Sequence, residues 1–317
     1  MKRNLLLFLL LHVIFSGCRA NPEKQLNNGF SAASVIRLIN KEKPVLVQDK
    51  IITGDLDFTL TETKEVFSTS HQEARVKVPV TFLNCIFMGK IRTVHTDGDI
   101  TTTCRFDENV TFEACDFRDE ADFSNTTIEG SANFTGAIFR ERTLFNNVTF
   151  KGRHTYFTAF TSEKLFSMQE SVIAGESDFF KARIKGKISF QGTVFSGTAR
   201  FSDMDCDGKS DFSLTRFSSD ALFTYANFGS DFRMGNAVVY GRLDLISVQF
   251  QSAAWLSNSS FFGAVNLTKS TASGNFDLSN CTFFKGEPIQ DEFVVNSPGK
   301  LITDGSKIAV FNQFNKN

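Results

Sequence analysis

Residues 121–150 read ADFSNTTIEGSANFTGAIFRERTLFNNVTF, and a single spacing runs through them. Counting from Phe112, steps of five and six alternate onto Phe117, Phe123, Ile128, Phe134, Phe139, Phe145 and Phe150. The beat is lost near Tyr156 and Phe157 and returns one residue late. It then continues through Phe179, Ile184, Phe190, Phe195, Phe201, Cys206, Phe212, Phe217 and Phe223 to Phe283. Every slot is apolar. A second apolar slot lies two residues before each of these, and it is often small: Ala121, Ala132, Ala137, Ala199, Ala221. A spacing of two is the strand period, so both slots point to the same side. The residue between them is usually polar, as at Asp122, Asn133, Asp178 and Asp211.

An 11-residue period also suits a helical hendecad. The segment is rich in Phe, Thr, Val, Ser, Asn, Asp and Gly, which form helices poorly or indifferently, and this excludes that reading. Each unit is instead a very short strand of pattern small-polar-large, followed by a turn. Gly130, Gly136, Gly186, Gly192, Gly197, Gly208 and Gly241 follow the large residue by two or three positions. There they predict corners with backbone angles that favour glycine. So short a unit cannot bury its own apolar face, whereas stacked units can, which is the logic of a solenoid. Two 11-residue blocks make one 22-residue coil. Roughly nine or ten coils at strand spacing give a rod of about 45 Å. The predicted interior includes Phe112, Phe123, Phe134, Phe145, Phe190, Phe201, Phe212 and Phe223.

The units Ala121-Asp-Phe-Ser-Asn, Ala132-Asn-Phe-Thr-Gly, Ala199-Arg-Phe-Ser-Asp and Ala226-Asn-Phe-Gly-Ser resemble the pentapeptide-repeat family, whose consensus is A-(D/N)-(L/F)-x-x. The likeness runs over about two-thirds of the chain. It implies an all-β fold, a right-handed quadrilateral parallel β-helix. The extra residue in alternate units looks like the Phe-rich subgroup. A three-sided parallel β-helix of similar coil length is the competing fold.

Composition narrows the function. The 317 residues carry 34 basic and 35 acidic side chains, a net charge of −1, which gives no signal for nucleic acid. Phe at 37 against Trp 1 and Tyr 3 is a bias that the repeat accounts for.

Lys2 and Arg3 precede an apolar run from Leu5 to Phe15, too short to span a bilayer and suited to a signal peptide. The run ends in Ile14-Phe-Ser-Gly-Cys18, which resembles the lipobox of bacterial lipoproteins. That resemblance implies that Cys18 is lipidated and becomes the first mature residue. Two or more acyl chains on it give stable anchoring. Arg19 stands where an Asp would retain a lipoprotein at the inner membrane in many enterobacteria, which leans towards the outer membrane.

The expected organisation is a signal peptide over 1–17 and a tether over 18–30. A capping helix and first coil span 31–78, the β-helix 79–286, and a carboxy-terminal cap with a loose tail 287–317. Ser31 or Ser34 caps the helix, and Val35, Ile36, Leu38 and Ile39 cover the first coil. Thr61 to Val76 reads as a loop, Arg92 to Thr103 as a protruding loop, and Lys151 to Met168 as a bulge.

Candidate chemistry is sparse. Cys85, Cys104, Cys115 and Cys281 fall in the small inward slot and Cys206 in the large one, so they read as buried hydrophobes. Cys85 and Cys115 are expected to stack on neighbouring coils, within disulfide range. Asp203, Asp205 and Asp207 begin like a calcium loop, but Leu214 stands where a bidentate Glu is needed. The repeat explains the same pattern without metal, because Met204 and Cys206 point inward. His95 lies near Asp97 and Asp99, too thin a spacing for a site. There is no phosphate loop and no nucleophile elbow, and no cofactor is expected.

The sequence therefore points to a non-enzymatic, lipid-anchored rod. Its expected partners are the membrane, through the anchor, and a protein or envelope component. A homodimer is among the assemblies such a rod allows. The alternative is a β-helix that binds or processes surface polysaccharide. Mimicry of DNA, known in the resembled family, fits poorly with a near-neutral exported chain.

Overall fold

The computed structural model describes residues 29–309. The expected signal peptide, Cys18, most of the expected tether and the end of the expected tail, from residue 310, lie outside them. Four sheets, with 10, 12, 11 and 13 strands, form four faces of a prism, parallel throughout except for two antiparallel hairpin strands in the last. In the order of the first full coil, face I begins at Val45–Gln48, face II at Ile51–Thr53 (with Gly29–Ser31 added outside it), face III at Leu56–Asp57 and face IV at His71–Val76. Four faces exclude the three-sided coil.

Most strands are two residues long: faces I and III hold the small slot and the middle residue, as at Ala121–Asp122, and faces II and IV the middle residue and the large one, as at Asp116–Phe117. Phe117 pairs in register with Phe139, 22 residues on. The core is continuous from Val35 to Phe283, and all eight predicted Phe side chains are fully buried in it. Their rings stack up the axis: Phe123 on Phe145 at 4.8 Å and 4°, and Phe195 on Phe217 at 4.9 Å and 5°.

Two kinds of corner produce the alternating five and six. After faces I and III the second residue past the large one has positive φ: Ala114, Asn125, Gly136, Asn147, Lys181, Gly192, Asp203, Leu214 and Tyr225. This tight turn uses the shorter step. The longer-step corners, after faces II and IV, hold Gly130, Gly186, Gly197, Gly208 and Gly241, none of which has positive φ. Of the seven glycines expected to need unusual angles, only Gly136 and Gly192 do. The others are there because a Cβ would collide with backbone one coil below; at Gly208 it would strike the carbonyl of Gly186.

The lost beat has a local cause. Thr127 pairs with Thr149, a step of 22, but Thr149 pairs with Val172, a step of 23. On face I, Ala132 pairs with Thr155 and Thr155 with Ser177, steps of 23 and 22. One extra residue therefore sits in the corner between Phe150 and Thr155, and it is not a bulge spread to Met168. Past it the pattern is hidden by a swap of sizes. Ser162 and Met168 take large slots, while Phe160 and Phe166 fill the small slots before them, ring centroids 4.8 Å apart.

Both ends differ from expectation. Gly29–Ser31 pairs with Ile51–Thr53, so the tether ends before residue 29. The helix Ala32–Asn40 follows, with Ser31 Oγ accepting from the Ser34 N–H at 3.2 Å. Residues 61–76 are not a plain loop: His71–Val76 is the first parallel strand of face IV, and Lys64–Val66 pairs with it antiparallel. Arg92 to Thr103 forms a second hairpin, His95–Asp97 against Ile100–Phe106. At the far end Val294–Val295, Leu301–Ile302 and Lys307–Ile308 add another rung in place of a separate cap.

Candidate interaction surface

The polar middle residue of the repeat has a definite task. Asp122, Asn133, Asp178, Asp211, Asn266 and Asp277 each accept from the backbone N–H two residues on, at 2.8–2.9 Å. This closes the positive-φ corner and is why Asp or Asn, with a short acceptor, suits the position. The small slots of face IV hold buried hydroxyls whose role the sequence did not reveal. Ser171 Oγ donates to the Phe145 carbonyl at 2.6 Å and accepts from the Val148 N–H at 2.9 Å, tying one coil to the next. Ser259 does the same with the Met234 carbonyl and the Ala237 N–H. A small residue in an inward slot reads as a spacer, and only the carbonyl of the coil below makes its hydroxyl an adhesive.

Outward charges pair across rungs. Arg140 grips Asp116 with two bonds of 2.7 and 2.9 Å, Lys185 reaches Glu163 at 2.9 Å and Lys151 reaches Glu129 at 2.9 Å. Arg142 pairs with Glu120. Spaced about one coil apart in sequence, these pairs cancel along each face, so neither sign dominates.

The structure does not gather the calcium candidates. Asp203 occupies a positive-φ corner, Asp205 lies outward on face II and accepts from Asn227 at 2.8 Å, and Asp207 is exposed at the next corner. Among the described residues no group of three or more His, Cys, Asp or Glu is placed to hold a metal ion. His95 sits exposed on its hairpin.

The five described cysteines are buried and unbridged. Burial pushes the Cys104 and Cys115 thiols well up and takes Cys206 and Cys281 up to about 11. Cys85 and Cys115 do stack on adjacent coils, since Ile86 pairs with Asp116. A hydrogen bond from Cys115 draws the Cys85 thiol down.

Two outward features stand apart from the repeating pattern. On face I, Tyr156, Glu176, Asp178, Arg200 and Leu222 line a groove of about 290 Å³. Within it Arg200 lies over the Phe180 ring at 3.8 Å, and His154 stacks on Tyr156 at 5.3 Å. At the edge where face IV turns into face I, Tyr240, Phe262 and Phe284 form an outward ladder, with ring centroids 4.8 and 4.2 Å apart. Arg216 covers Tyr240 at 4.7 Å. The sequence shows Tyr225, Tyr240 and Trp255 as scattered aromatics, and only the coil register reveals that Tyr240, Phe262 and Phe284 share one column.

With this geometry in view, the comparison with known families is direct. A family model described as pentapeptide repeats (9 copies) matches residues 102–149 and 112–159. Residues 102–159 therefore carry pentapeptide repeats. The same coil geometry continues beyond the matched stretch to Ile308, and the four-faced parallel β-helix fits the fold of pentapeptide repeats. No curated protein and no solved structure matches the chain.

Proposed function

We propose that this pentapeptide-repeat protein is a non-enzymatic, lipid-anchored scaffold of the bacterial cell envelope, of the Phe-rich subgroup, that presents flat β faces to a protein or envelope partner. The observation that carries the reading is the axis filled by Phe rings, flanked by faces whose charges are spent on one another. Such a body offers rigid surface. The anchor rests on Cys18 behind the apolar run, and Arg19 leans the assignment to the outer membrane. Cys18→Ala should abolish labelling by radioactive palmitate and move the protein from the membrane to the soluble fraction. Retention on the membrane without label would sink the anchor. Crosslinking in intact cells, followed by purification of the anchored protein, identifies the partner.

A second reading is supported by the face I groove and the Tyr240 ladder: binding of surface polysaccharide. A glycan array separates the two, since the scaffold reading expects no saccharide signal that Tyr156→Ala or Tyr240→Ala removes.

A further inference from the structure

The rod exposes large apolar side chains unevenly. Leu46 is 70% exposed, Leu60 63%, Val66 69% and Phe67 57%, and all four belong to the first coil. Lys64–Val66 is the outermost strand of face IV, beyond His71–Val76, so Val66 and the adjoining Phe67 sit at the very end of the prism. Leu60 closes the turn that leads into the same hairpin. The chain enters the fold at this end, because Gly29–Ser31 is the outermost strand of face II.

Charge at this end has a pattern too. Glu42 is held by Lys77 at 3.2 Å and Glu65 by Arg75 at 3.5 Å. Lys41, Lys43 and Lys64 are exposed and make no ion pair among the described residues, and they outnumber the one exposed Glu beside them that also makes none, Glu62. Exposed apolar side chains beside unpaired lysines suit an anionic membrane interface.

We propose that the amino-terminal end of the rod, through Leu60, Val66 and Phe67, seats in the headgroup region of the membrane to which Cys18 anchors it. The proposal rests on the anchoring read from the sequence. Cys18 and Gly29 are eleven residues apart, which limits the tether to about 40 Å even when fully extended. The end that carries the apolar side chains is thus the end held near lipid. The opposite end also exposes apolar groups, at Ile289, Val294, Leu301 and Ile308, but lies away from Cys18 and serves as the internal control.

The test uses the full acylated chain in vesicles of phosphatidylethanolamine and phosphatidylglycerol. An environment-sensitive fluorophore is placed at Leu60→Cys or at Leu301→Cys, and nitroxides on the lipid acyl chains act as quenchers. The five described cysteines are buried, so the label goes to the new thiol. The expected result is strong quenching at position 60 and none at 301. Val66→Ser with Phe67→Ser should remove the signal at 60 without unfolding the rod, since both side chains are exposed, and Phe67→Trp should keep it. Equal quenching at 60 with and without the two serines overturns the proposal. A probe at 60 that is shielded from water but not reached by the nitroxides also overturns it, and assigns this end to a protein. Palmitate labelling is read separately. Quenching without acylation removes the anchor and leaves the membrane-facing end standing.

Discussion

The ring of Phe201 lies flat against that of Phe223, 4.7 Å away and tilted by 12°, and its other side meets Phe179 at 5.0 Å. Phe190, Phe195 and Phe212 close around it edge-on. Phe201→Ala removes a ring from the middle of a continuous stack and should cost about 3–5 kcal/mol in urea unfolding. Asp203→Ala, two residues on at an outward corner, should cost no more than about 1 kcal/mol, since nothing in the core depends on it and only the left-handed corner favours Asp over Ala.

The two corner types respond oppositely to glycine. Leu214 holds φ 60 and is half exposed, so Leu214→Gly relieves left-handed strain and should stabilise by up to about 1 kcal/mol. Gly208→Ala drives a methyl into the Gly186 carbonyl and should destabilise by about 1–3 kcal/mol. Thermal melts of the two variants should shift in opposite directions.

Asp244 gives a pH test. Burial raises its carboxyl above the usual range, Arg242 offsets part of this, and Asp220 adds to it. A raised folded pKa means the folded state holds the proton more tightly than the unfolded chain. Its stabilising contribution is present below the unfolded pKa and is lost as pH rises through the folded one. Asp244→Asn should therefore be more stable than the native chain at pH 7, with the gap closing as the pH is lowered through the carboxyl range. A gap that widens in acid would contradict this.

Thiol chemistry reads the core directly. Cys206 and Cys281, taken up to about 11 by burial, should resist alkylation at pH 8 in the native rod and react once it is unfolded in guanidinium. Rapid native reaction at either would show that the coil around it opens.

Much of this architecture was legible because one spacing recurs. The Phe slots, the small slots and the outward Asp or Asn follow from a period of two inside a period of 11, and each lands where that pattern sends it. What stayed hidden depends on neighbours one coil away. Gly208 looks like a turn residue until the Gly186 carbonyl is seen beneath it. Ser171 looks like a spacer until Phe145 lies below. Phe160 and Phe166 disguised the beat because a large side chain in a small slot is tolerated when Ser162 and Met168 make room. The hairpins at Lys64–Val66 and His95–Asp97 carry too few apolar residues to announce themselves as strands. The ladder from Tyr240 to Phe284 was invisible for the same reason as the serines: its members are 22 residues apart in sequence and adjacent only in the coil.

The single added residue between Phe150 and Thr155 lengthens one coil to 23 residues, and the step of 22 resumes directly above it, because a corner absorbs the addition. Rod length is therefore a quantity the gene can change in whole steps. Duplicating or losing 22 codons adds or removes one layer of about 4.8 Å while leaving the layers on either side correctly seated. An indel of arbitrary size within a face would shear all four faces at once.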